Sequence, residues 1–251
     1  MKAIIVAAGI GSRLGDLTKD LPKPLIDVNG KSILERQIEL FKKFGIDDII
    51  IIRGPHKNKF NFEKVRYVDD ADINDHDLLG SLMTAEQEMC DDIIISYGDI
   101  IFDESILSQI FNSSESTNLA IDYNWKKNYN DKSDHLLNKV SVVTLENELI
   151  TNIGYYENFK NYENLIFGEF IGLMKLSKSS ALQFIQKYNI LKEKHLGKFH
   201  DSPSIHFGII TDMINELLKH GIKFSSTKIS GKWCEIDTPE DLEIAKKLFK
   251  I

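Results

Sequence analysis

Ala3-Ile4-Ile5-Val6-Ala7-Ala8-Gly9-Ile10-Gly11-Ser12-Arg13-Leu14 is the stretch on which the reading of the fold turns. An unbroken apolar run that ends in glycines suits a central parallel strand covered on both faces. Gly9 and Gly11 let the backbone approach a bound group closely and turn N–H groups toward phosphate oxygens. Arg13 adds a planar guanidinium fork for those oxygens. Lys23, in Pro22-Lys23-Pro24, is placed to return to the same loop as a point charge. Two familiar templates fail. The dinucleotide fingerprint needs glycine where Leu14 stands, and the P-loop that would end at Gly30-Lys31-Ser32 needs glycine where Leu25 stands. An ordinary glycine turn with two solvated basic residues is the alternative.

Outward from that loop, strand and helix patterns alternate. Ser32-Ile33-Leu34-Glu35 is a capping box, and Leu34, Ile38 and Phe41 share one helix face that Gly45 closes. Residues 49–52, 65–68 and 93–96 read as strands, and 81–89 as a helix. This alternation predicts a parallel sheet with right-handed crossovers. Residues 119–123, 139–145, 149–153 and 167–174 are strand-like with few helices between them, which predicts a small β-rich insertion. A polar loop at 124–138 is either a lid or a surface excursion. Helices return at 177–188 and 204–220, then comes a strand at 224–229. The last helix opens at Thr238-Pro239-Glu240-Asp241, with Thr at the N-cap and Pro in the first turn. The chain reads as one domain (1–251), with a nucleotide-binding core at 1–117, an acceptor-side β-rich part at 118–175 and a C-terminal part at 176–251.

Composition narrows the function classes. The 251 residues carry 31 basic and 38 acidic side chains, a net charge of −7, which disfavours broad binding to nucleic acid. No apolar run approaches the length of a membrane span, and Met1-Lys2 leads straight into strand-like sequence. A cytoplasmic location without membrane partners is the expectation. The two cysteines, Cys90 and Cys234, suit neither a disulfide framework nor a zinc site, and both are expected to be buried small apolar groups. The histidines lack metal-ligand spacing, and no nucleophile elbow occurs. Oligomeric state is not legible.

Two carboxylates point to a metal. Ile93-Ile94-Ile95-Ser96-Tyr97-Gly98-Asp99 places Asp99 at the C-terminal end of a buried strand, where open α/β sheets bind ligands. Asp237 precedes the last helix. Each has a plain alternative, as a strand-end turn residue and as a residue beside a helix start. Together they match Mg²⁺, a hard ion that takes one or two carboxylates, water and substrate phosphates.

The pattern Gly9-x-Gly11-Ser12-Arg13-Leu14, with Leu21-Pro22-Lys23-Pro24-Leu25, resembles the signature of the sugar-phosphate-type nucleotidyltransferases. Glu235-Ile236-Asp237-Thr238-Pro239 is similar to that family's closing motif. The resemblance implies an α/β, Rossmann-like fold with a mixed, mainly parallel central sheet flanked by helices. It also implies Arg13 and Lys23 as catalytic residues, Ala7, Ala8, Gly9, Gly11, Gly80 and Ser81 as nucleotide-binding residues, and Asp99 and Asp237 as Mg²⁺ ligands. Gly80-Ser81 is read as the start of a helix whose free N–H donors meet the base, with simple N-capping by Ser81 as the alternative.

Asp77-Leu78-Leu79-Gly80-Ser81-Leu82, Ser96-Tyr97-Gly98-Asp99, Asp122-Tyr123-Asn124-Trp125 and Gly168-Glu169-Phe170-Ile171-Gly172-Leu173 resemble a cytidylyltransferase subgroup. That subgroup uses CTP with 2-aminoethylphosphonate, phosphocholine or phosphoglutamine and feeds surface polysaccharide or lipid decoration. Asp122, Trp125, Lys139 and Glu169 are the candidate acceptor-binding residues: carboxylates and an aromatic face for a cationic group, and a lysine for its phosphate. The alternative is that Trp125 packs the lobe and the charges are solvated. Two other activities stay open, a hexose-1-phosphate nucleotidyltransferase and a non-catalytic nucleotide-binding module.

Overall fold

The computed structural model describes residues 1–9, 11–129, 137–160 and 167–250. The opening apolar run forms strand β1 (Lys2–Ala7), whose Ala3, Ile4 and Ile5 are fully buried. A short hairpin, β2 (Asp27–Val28) and β3 (Lys31–Ser32), leads into helix α1 (Ile33–Lys43). The capping box is present: Ser32 Oγ accepts from Glu35 N at 3.1 Å, and Glu35 reaches back to Ser32 N. Strands β4 (Ile49–Arg53) and β6 (Ile93–Tyr97) pair in parallel with β1, and β5 (Arg66–Asp69) in parallel with β4, in the order β5–β4–β1–β6. Ile and Val dominate β1, β4 and β6, as expected for strands covered on both faces.

Helix α2 (Leu78–Met83) lies between β5 and β6 and starts earlier than the sequence pattern suggested. Asp77 caps it, its Oδ1 accepting from Leu78 N at 2.7 Å, and only a single 3₁₀ turn (Glu86–Glu88) follows before β6. After β6 come β7 (Ile100–Phe102), α3 (Glu104–Phe111) and β8 (Thr117–Asp122).

Beyond β6 the sheet is mixed, antiparallel except where the last long-sheet strand pairs in parallel with β8. β9 (Ser141–Glu146) and β10 (Leu149–Tyr155) pair with each other, and β11 (Phe167–Leu176) runs between β6 and β8. The first residues of β11 also pair with β9, so the far end of the sheet curls back on itself through β11–β8–β12–β10–β9, where β12 is Ser225–Lys228. That closure forms the β-rich lobe and its small apolar centre of Trp125, Val140, Val142 and Phe159. Helices α4 (Lys178–Lys194) and α5 (Ile210–Lys219) connect β11 to β12. The second is shorter than the 204–220 pattern: the Asp212 carboxylate accepts from Ile209 N at 3.0 Å and sets the start there. Strand β13 (Trp233–Glu235) pairs antiparallel with β7, and α6 (Pro239–Leu248) ends the fold behind the Thr238 cap.

Cys90 is exposed and Cys234 half-buried, against the expectation of two buried thiols. Cys90 sits beyond the last turn before β6, beside Lys2, and not on a core face. Among the described residues no helix is long and apolar enough to cross a membrane.

Candidate active site at the carboxyl ends of the strands

Two long-range pairings assemble the charged cluster. β6 ends at Tyr97, and Gly98 N donates to Val6 O at 2.8 Å. A Cβ on Gly98 would lie 2.8 Å from that carbonyl oxygen, so only glycine lets the strand end pass β1 this closely and deliver Asp99. The β7–β13 ladder then carries the C-terminal segment across, and Ile236 N donates to Asp99 O at 3.0 Å. Asp99, Glu235 and Asp237 thereby bring carboxylate oxygens within 4.8 Å of one another. Asp237 is itself steadied by Asp241, 1% exposed, whose Oδ2 accepts from Asp237 N at 3.1 Å and Thr238 N at 2.9 Å.

Lys23 supplies the opposing charge. It is buried, lies 2.8 Å from Asp99 Oδ2 and also bonds Asp237 Oδ1. Burial alone would depress its ammonium, but Asp99, Asp237 and Glu235 more than offset this and hold it above the usual lysine range. Arg13, largely exposed, reaches Asp237 Oδ2 at 2.8 Å. Burial, then Asp237 and Asp99, push the Glu235 carboxyl up to about 8 despite Lys23 and Arg13. Asp99 Oδ1, buried, has no hydrogen-bond partner among the described residues. An orphaned carboxylate oxygen beside two further acidic groups fits a hard divalent cation.

The glycine loop lies against this cluster. Gly11 adopts φ 70°, and a Cβ there would meet Lys23 Cβ at 2.9 Å, so the glycine seats the loop on the lysine. Its carbonyl accepts from Thr18 Oγ1 at 2.7 Å. Ala7 and Ala8 are buried beneath the loop. A Cβ on Gly9 would meet nothing within 4 Å, so the protein's own packing does not demand glycine there.

Gly80 and Ser81 are the third and fourth residues of α2, both buried, and not the residues that open it. Ser81 N donates to Asp77 O at 3.1 Å, Leu79 N to Gly208 O at 3.0 Å, and Ser81 Oγ to the buried Asp70 carboxylate at 2.6 Å. Asp77, as competent a cap as Ser81, takes the N-terminal position.

A cavity of about 270 Å³ opens beside the carboxylates. Arg13, Glu235 and Asp237 form one end, and Tyr155, Glu169, Trp233 and Lys139 line the rest. Glu169 accepts from Tyr129 Oη at 2.6 Å. Lys139 pairs with Glu157 at 3.0 Å and lies 4.6 Å from the centre of the Tyr155 ring. Two expected acceptor contacts fall elsewhere. Trp125 is 1% exposed and packs edge-on against Tyr129 and Tyr156 in the lobe's own centre. Asp122 lies behind the cavity and accepts from Trp233 Nε1 at 2.9 Å, so it orients an aromatic wall rather than lining it. Residues 130–136 of the expected loop lie outside the described residues.

Glu235, Trp233 and Tyr155 were not singled out from the sequence. Glu235 had a signal: it stands two residues before Asp237 at the end of a strand, where the side-chain period of two puts both on one side. Trp233 and Tyr155 had none, because their place depends on which strands pair.

A family model for the MobA-like NTP transferase domain matches residues 3–145. A CTP:phosphoglutamine cytidylyltransferase from Campylobacter jejuni is 28% identical over 257 residues, spanning 97% of this chain and 98% of that one. A choline-phosphate cytidylyltransferase from Streptococcus pneumoniae is 41% identical over 106 residues, 41% of this chain and 46% of the relative. The solved structure of CTP:phosphocholine cytidylyltransferase from Streptococcus pneumoniae has the same fold, with a TM-score of 0.74 at 22% identity over 99% of each chain. With more than half its length matched, and with the mixed α/β sheet of these structures, the chain belongs to the MobA-like NTP transferase domain family.

Proposed function

We propose that this nucleotidyltransferase is a cytidylyltransferase that moves CMP from CTP to a phosphate or phosphonate oxygen of a small acceptor, releasing pyrophosphate. The observation that carries the reading is the convergence of Lys23, Arg13 and the Asp99–Glu235–Asp237 carboxylates at one end of an acidic, aromatic cavity. The phosphoglutamine and phosphocholine relatives support cytidine as the nucleoside and a small phosphorylated acceptor.

The acceptor oxygen is already anionic near neutral pH, so the reaction needs no strong general base. It needs two anions held in line and the spreading charge stabilised. The amides of Gly9 and Gly11 cradle the nucleotide phosphates. Arg13 and Lys23 stabilise the α-phosphate and the departing pyrophosphate, and Lys23 is held ready for this by Asp99 and Asp237. Mg²⁺ would be held by Asp99 and Asp237, with Glu235 beside them; when bound it supplies positive charge for the reacting phosphate oxygens. In the cavity, Glu169 and the Tyr155 and Trp233 rings suit a cationic group on the acceptor, and Lys139 suits an anionic one. A zwitterionic acceptor satisfies both.

The test is pyrophosphate release with each nucleoside triphosphate against a panel of phosphocholine, L-glutamine phosphate, 2-aminoethylphosphonate, glycerol phosphate and glucose-1-phosphate. Release that requires CTP and one of the first three supports the reading. Release only with glucose-1-phosphate overturns it in favour of a hexose-1-phosphate enzyme, and nucleotide binding without release in favour of a binding module.

A further inference from the structure

Among the described residues, the last residue of β10 has a strand neighbour on one side only. Tyr155 pairs with Ser141 of β9, while β12 on the other flank meets β10 only at Leu149. Asp201 takes the empty place. Its Oδ2 accepts from Tyr155 N at 2.9 Å and its Oδ1 from Asn158 Nδ2 at 2.7 Å. One carboxylate thus pins the final residue of the strand and the turn that follows it.

Asp201 is itself held in place. Its N–H donates to Asp212 Oδ1 at 2.9 Å, and the other oxygen of Asp212 takes Ser202 Oγ at 2.6 Å and Ile209 N at 3.0 Å. Asp212 is 2% exposed, on the helix that packs over β10. Residues 199 and 202 close a small bridge that turns the chain back at this point. Gly154 leaves room for the approach: a Cβ there would lie 2.8 Å from Asp201 Oδ2. On the opposite side of the strand, the Tyr155 ring faces the cavity and carries the Lys139 ammonium.

We propose that Asp201 is a positioning residue for the acceptor: by bonding Tyr155 N–H it fixes the Tyr155–Lys139 wall of the cavity and so sets which small phosphorylated acceptors fit. This rests on the cavity being the acceptor site. It assigns an energetic role to the segment between α4 and α5, which touches none of the reacting groups.

The experiment pairs Asp201→Asn with Gly154→Ala. The first replaces the carboxylate with an amide that cannot accept both bonds; the second keeps the carboxylate and pushes it off the strand. Phosphocholine, L-glutamine phosphate and 2-aminoethylphosphonate are assayed side by side. Both variants should raise the acceptor KM by about tenfold, the scale of one charge-assisted hydrogen bond, and leave the CTP KM within about twofold. In a Tyr155→Ala background, Asp201→Asn should add less than about twofold, because the effect passes through the ring. Amide exchange at residues 153–158 should quicken in both variants while that of β1 and β6 stays slow. Unchanged exchange at Tyr155 overturns the proposal whatever the turnover. So does quicker exchange with an unmoved acceptor KM, or an equal rise in both KM values. Silence of the wild type with all three acceptors strikes the proposed function instead, while the exchange data still decide whether Asp201 pins the strand.

Discussion

Replacing Lys23 with Met isolates one charge. Met keeps most of the buried stem and removes the ammonium that sits 2.8 Å from Asp99 and also bonds Asp237. The lysine side chain is 8% exposed, and Asp99 and Asp237 are 26% and 15% exposed, so the pairs are only partly screened. A unit pair at contact distance is worth about 4–6 kcal/mol at an effective dielectric of about 20. Desolvation of the ammonium offsets part of that, and breaking one side of a buried pair costs about 3–5 kcal/mol. We take about 3 kcal/mol for the metal-free protein, which in a chain of this size lowers Tm by about 6–12 °C. Because Asp99 and Asp237 then lack their ammonium, millimolar Mg²⁺ should raise Tm more in the variant than in the wild type. Turnover moves the other way and falls by about two orders of magnitude, the cost of losing one charge-stabilising donor. Differential scanning fluorimetry with and without Mg²⁺, together with pyrophosphate release, reads both effects. A Tm within about 1 °C of wild type and turnover within about threefold would refute the reasoning, since neither fits a buried ammonium bridging two aspartates.

Asp99→Asn should abolish most Mg²⁺-dependent turnover while the fold persists, read by a Mg²⁺ titration of pyrophosphate release beside circular dichroism; near-normal activity removes Asp99 from the site. Gly98→Ala should destabilise the protein by about 1–3 kcal/mol and depress turnover, because the added methyl meets the β1 backbone and displaces the Asp99 strand end; a denaturant midpoint equal to wild type refutes the close approach. Trp125→Ala should cost about 3–5 kcal/mol by chemical denaturation, whereas Trp125→Phe keeps most of the packing and leaves the acceptor KM in place. A large acceptor KM effect in the Phe variant would mean that Trp125 touches substrate.

Local chemistry makes much of this fold legible in the sequence. Apolar runs bounded by glycine gave β1, β4 and β6. The Ser32 capping box and the Thr238-Pro239 start gave two helices, because each is a hydrogen-bonding rule satisfied within a few residues. The start of α2 was misplaced for the same reason in reverse: Asp77 and Ser81 are both competent caps, and the longer-range bond from Leu79 N to Gly208 O accompanies the choice of Asp77.

At the site, the sequence by itself determined which residues carry charge and where strands and loops end, so Arg13, Lys23, Asp99 and Asp237 could be named from motif and position. Only the tertiary structure decided that they meet. Asp99 and Asp237 are far apart in the chain and are joined through the β7–β13 ladder, and Glu235 enters the cluster with them. The same holds for the cavity. Trp125 carries an aromatic face in either case, but closure of β11 on β9 turns it into the lobe's apolar centre, while Trp233 and Tyr155 become walls. Hydrogen-bonding preference and side-chain period act within a few residues and can be read along the chain. Which strands become neighbours is set by burial summed over the whole sheet, and that sum appears only when the chain has folded.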